Sequence, residues 1–122
     1  MKKLTETQMK TLNYIYKELN MKKGSKSVLD LLLKYDLEGM ENRSDYDELK
    51  AYTIRKYNDY KEHYDKLYTE SIREAKEENV VLATGNTSTL KALEKAGYIE
   101  IISLGGIFPD KVKVIKEFAS SL

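Results

Sequence analysis

From Ser44 to Thr84 the chain contains neither glycine nor proline, and this constrains the fold more than any other feature. Those two residues are the strongest local punctuation of a helix, so their absence predicts one continuous helix over residues 45–78. At 1.5 Å per residue it would span roughly 50 Å. Ser44 stands where an N-cap belongs, and Asp45, Asp47 and Glu48 follow it where carboxylates complement the helix dipole. One stripe carries Leu49, Thr53, Tyr57, Tyr60, Tyr64, Leu67 or Tyr68, Ile72 and Ala75, while Lys, Asp and Glu fill the other faces. A helix longer than the domain around it leaves part of that stripe uncovered. The expectation is a homodimer with a coiled-coil-like seam at Tyr57, Tyr60, Tyr64 and Tyr68.

The flanking segments are shorter. Met9, Leu12, Ile15, Tyr16 and Leu19 recur at helical spacing, and Thr5 with Gln8 forms a capping-box pattern, which predicts a helix over residues 5–20. Residues 26–37 are apolar over much of a helical circumference, with Ser25 as the expected cap and Gly39 as the stop. After Asn79 the period changes. Val80-Val81-Leu82 reads as a short strand and residues 87–96 as a short helix ended by Gly97. Residues 98–103 and 111–116 read as two strands around a loop holding Gly105, Gly106 and Pro109. The expected fold class is α+β, mostly helical, with a long central tyrosine-rich helix and a C-terminal β-hairpin.

A chain of 122 residues accommodates one domain, taken as residues 1–122. With no cysteine there is no disulfide, thiolate metal site or cysteine nucleophile. The first residues turn polar before any apolar run develops and no stretch approaches membrane-spanning length, so a cytoplasmic protein without a membrane partner is expected. The net charge of +1 is unevenly spread. Residues 1–44 carry nine basic and six acidic side chains, residues 45–79 seven and ten, and residues 80–122 five and four. The acidic excess sits in the middle, which leaves room for a basic face built from the two ends.

The string Asn86-Thr87-Ser88-Thr89-Leu90-Lys91-Ala92-Leu93-Glu94-Lys95-Ala96-Gly97-Tyr98-Ile99-Glu100 resembles the end of a winged helix-turn-helix domain. Leu90 and Leu93 anchor one helix face, Thr87, Ser88, Lys91 and Lys95 are left outward, and Gly97 turns the chain into the next strand. The likeness covers residues 79–116 well and residues 4–20 loosely, and the middle of the chain departs from the pattern. It implies a winged helix in which Asn86, Thr87, Ser88, Lys91 and Lys95 meet double-stranded DNA. Gly105, Gly106, Lys111 and Lys113 would then form a phosphate-touching wing. A homodimer would present two such helices to an inverted repeat.

The reading that follows is a small DNA-binding regulator of transcription, without cofactor, metal or catalytic group. The alternative is a protein-interaction module, of the sort phages and mobile elements carry, in which the long helix binds a partner protein. A third reading takes residues 80–86 as a strand and turn delivering a helix N-terminus to a nucleotide, but no glycine-rich fingerprint accompanies them. The tyrosine ladder interleaved with Lys61 and Lys66 could stack bases, although helical aromatic stripes more often pack. His63, beside Asp59 and Glu62, reads as a solvated face rather than a metal site. No ligand pocket is evident in the sequence.

Overall fold

The glycine-free run folds as two helices, not one. A computed structural model describes residues 3–83, 85–105 and 110–116. In it α1 (Glu6–Lys23) and α2 (Val28–Leu37) are followed by α3 (Tyr46–Asp59) and α4 (Lys61–Glu78), which part at Tyr60. Asn58, Asp59 and Tyr60 all stand low in the helix-propensity order. The break has a packing reason as well. The Tyr57 hydroxyl donates to Asp65 Oδ1 at 2.6 Å, yet eight residues of straight helix would separate their backbones by about 12 Å. Bending at Tyr60 closes that gap and lets both α3 and α4 lie against α2.

The strands β1 (Val80–Ala83), β2 (Ile99–Ser103) and β3 (Asp110–Val114) form an antiparallel sheet in the order β1-β3-β2, with α5 (Thr87–Lys95) between β1 and β2. Val112 lies opposite both Val81 and Ile101. An irregularity between Ile101 and Ser103 leaves Ile102 without a register partner. The architecture is therefore mixed α+β and mostly helical.

Local signals account for several boundaries. The Thr5 hydroxyl accepts from the Gln8 backbone N–H at 3.2 Å while Gln8 Oε1 accepts from the Thr5 N–H at 3.0 Å, so both halves of the capping box form. Gly97 adopts φ +88, and behind it Tyr98 N–H bonds to Leu93 O and Gly97 N–H to Glu94 O, the paired bonds of a Schellman motif. Asn79, at φ 57, ends α4 in the same left-handed conformation. The cap of α2 differs from expectation. Ser27, not Ser25, accepts from the Asp30 N–H, while Ser25 is buried and donates to Met21 O at 2.6 Å. Ser44 likewise is not the cap of α3; Asp45 takes that position without a side-chain cap bond.

Two clusters of buried side chains hold these elements together. One joins Leu12, Ile15, Tyr16 and Leu19 of α1 to Ala75, Val81, Ala83, Leu90, Leu93, Ile99, Val112 and Val114. The other joins Val28, Leu31 and Leu32 of α2 to Tyr57 and Ile72, with Tyr35, Tyr64 and Tyr68 packed against them. Lys22 lies between other charged groups at only 2% exposure, its ammonium 4.0 Å from Glu18 Oε2. Burial lowers its pKa, against the raising influence of Glu18 and Glu74. No described helix is long and apolar enough to cross a membrane.

Candidate nucleic-acid interface

Helix α5 is short, and its orientation is set by three side chains. Leu90 and Leu93 are fully enclosed and Thr89 is nearly so, facing α1 and the sheet. Helical geometry then sends Thr87, Ser88, Lys91 and Lys95 outward, and all four are exposed. Asn86 caps the helix: its Oδ1 accepts from the Ser88 N–H at 2.9 Å and from the Ser88 hydroxyl at 2.5 Å. The carboxamide oxygen is thus committed to the cap, and the Ser88 oxygen keeps its lone pairs for an outside donor. At the other end the Glu94 carboxylate accepts from the Ile101 N–H, pinning α5 to β2.

The two sets of residues expected to touch nucleic acid are not brought to one surface. Val112 and Val114 face the cluster that contains Leu90 and Leu93, so the alternation of a strand turns Lys111 and Lys113 to the opposite side of the sheet from α5. Lys111 is also engaged, its Nζ lying 3.2 and 3.3 Å from the two carboxylate oxygens of Glu74 on α4. Gly105 is held by its N–H, which donates to Asp110 Oδ1 at 2.8 Å. Gly106 lies outside the described residues.

The tyrosines divide as well. Tyr57 is buried, Tyr64 and Tyr68 are half-buried against α2, and Tyr60 alone of the four is fully exposed, at 62%. Three of the four seam residues are therefore spent inside the chain, and the length of a continuous helix no longer requires a partner. His63 is an exposed neighbour of Tyr64 with ring centroids 5.6 Å apart. Among the described residues no group of three or more histidine, cysteine or carboxylate side chains could hold a metal ion.

Sequence reasoning left room for a basic face built from the chain ends but named no place for it. Lys3, ahead of α1, and Lys116, after β3, meet Lys95 around a cavity of about 360 Å³ beside the C-terminal half of α5. Residues so far apart in the chain share no local pattern that could have announced this.

A search of family models, of curated proteins and of solved structures returned no match. Within the winged-helix pattern itself, one point of order departs. The strand β1 runs directly into α5, so no helix precedes α5 across a short turn; α1 takes the packing position beside it instead.

Proposed function

We propose that the chain binds double-stranded DNA through the outward face of α5 and acts as a small regulator by occupying the duplex. One observation carries this reading. A helix anchored by Leu90 and Leu93, ended by a glycine and followed at once by an antiparallel hairpin, presents Thr87, Ser88, Lys91 and Lys95 together to solvent. Short hydroxyls and ammonium groups on one exposed helix face suit base edges and phosphates in a major groove. The proposal needs one copy of α5 per site, because most of the tyrosines once available for a dimer seam pack within the chain.

Titration of a labelled random duplex at two salt concentrations tests it, since counterion release makes such binding fall steeply with salt. The Thr87→Ala, Ser88→Ala, Lys91→Ala triple variant should bind a preferred duplex more weakly by about 1–3 kcal/mol per lost base contact, with an unchanged melting temperature. Equal binding by the variant, or affinity indifferent to salt, would overturn the assignment.

A second reading, docking of a partner protein, is favoured by the hairpin. Ile102 and Leu104 are 49% and 44% exposed, while Lys111 is neutralised by Glu74. Of the two lysines expected in the wing, that leaves Lys113 alone without a carboxylate partner among the described residues.

A further inference from the structure

The cavity beside α5 combines two kinds of wall. Leu4, Ala92, Ala96 and Tyr98 supply apolar surface, and among the described residues every charged side chain that lines it is a lysine: Lys3, Lys95 and Lys116. All three are exposed, and none of their ammonium groups is paired with a carboxylate among the described residues. Lys116 lies over the Tyr98 ring with its Nζ 5.2 Å from the centroid, which places one ammonium beside the aromatic part of the wall. Gln8 adds an amide at the rim, its Oε1 already taken by the Thr5 N–H and its amino group left as a donor. A pocket near 360 Å³ falls within the range that small-molecule sites occupy.

We infer that this cavity is a binding site for a small organic anion, a carboxylate carried on a ring or compact apolar body. The apolar part would lie on Ala92, Ala96 and Tyr98 with the carboxylate among the three ammonium groups. Both halves are required by the walls. An inorganic anion leaves the apolar surface wet, and a neutral ring leaves three like charges unopposed. Ligand binding does not depend on the DNA reading. Where α5 does bind a duplex, the two ligands share Lys95 and compete.

The experiment uses the full chain without DNA and follows the backbone amides of Ala92, Ala96 and Tyr98 by NMR during titration with benzoate, benzamide or inorganic phosphate. Benzoate should give saturable shifts at these amides, with an affinity at least about tenfold above those of its neutral isostere and of phosphate. The Lys95→Gln, Lys116→Gln double variant should lose about tenfold in benzoate affinity while keeping its melting temperature, and Lys76→Gln, on the exposed face of α4, should change nothing. Equal shifts with benzamide would show an apolar crevice without charge selection. Equal shifts with phosphate would show a basic patch without a ligand pocket. Either result, or an unaffected double variant, overturns the inference. A duplex-binding failure would leave these outcomes untouched.

Discussion

On the sheet side of the molecule, α1, α5 and the strands meet largely through Leu12, Ile15, Leu90, Leu93, Val81 and Val112. On the other side, α2, α3 and α4 meet through Tyr35, Tyr57, Tyr64 and Tyr68 around a smaller aliphatic centre. The aliphatic side has no polar atoms to satisfy on those side chains and depends on fit. The tyrosine side must find a partner for each enclosed hydroxyl: Tyr57 donates to Asp65, and Tyr35 donates to Glu18 across the junction between the two clusters. Its rings contribute through geometry, with Tyr64 and Tyr68 stacked at a 6.5 Å centroid separation and Tyr57 and Tyr64 at 6.4 Å. The comparison teaches that an aromatic stripe bordered by carboxylates can be a core with its polar ends tied off, although it has the pattern of an exposed seam.

The largest effect should come from the aliphatic side. Leu90 is wholly enclosed, so Leu90→Ala should lower unfolding free energy by about 2–5 kcal/mol, read from the denaturant midpoint. A loss below 1 kcal/mol would mean that α5 is not anchored as described.

Alkaline pH separates the two sides without a mutation in the aliphatic one. Burial, and then the hydrogen bond to the Glu18 carboxylate, raises the Tyr35 pKa well above its ordinary value of 10.0. An acid whose folded pKa is raised stabilises the fold below its unfolded pKa, and that contribution is lost as pH climbs above 10. Lys22 works the other way. Its lowered pKa means that losing its proton removes a penalty of the folded state, so stability rises between the lowered value and 10.5. Above pH 10 the unfolding free energy from urea titration should therefore fall more steeply in the wild type than in Tyr35→Phe, by up to about 1.4 kcal/mol per pH unit, the limit for one proton. Parallel profiles would place the Tyr35 hydroxyl in water.

Smaller still is the hydroxyl of Tyr57. Tyr57→Phe should cost about 0.5–1.5 kcal/mol, and Asp65→Ala, which removes the acceptor, should abolish most of that difference in a double-mutant cycle. The smallest expected effect is at Tyr60, where a charge meets only solvent. Tyr60→Glu should change stability by less than about 0.5 kcal/mol and leave the sedimentation coefficient as it was. Conversion of a dimer to a monomer by that one substitution would restore the tyrosine seam.

What could be read in advance was local. Thr5 with Gln8, Leu90 with Leu93, and Gly97 each act within a few residues of themselves, so the start of α1 and both faces and the end of α5 were legible. The break at Tyr60 was not, because no glycine or proline marks it and its cause is the shared docking of α3 and α4 on α2. For the candidate interface, the outward set on α5 followed from helical spacing. The partner of Lys111 did not, since Glu74 is thirty-seven residues away in the chain. The same distance effect hid the cavity, whose walls come from before α1, from α5 and from after β3.

The sheet order gives the central place to β3, the last of the three strands to be made. During vectorial synthesis β1 and β2 must both wait with open edges until residues 110–114 arrive, and Val112 is a core plug delivered at that final step. Unpaired edges in that interval are templates for misassociation. Helices α1 to α4 all precede the three strands in the chain, so the surface on which the sheet packs is synthesised before any of its edges.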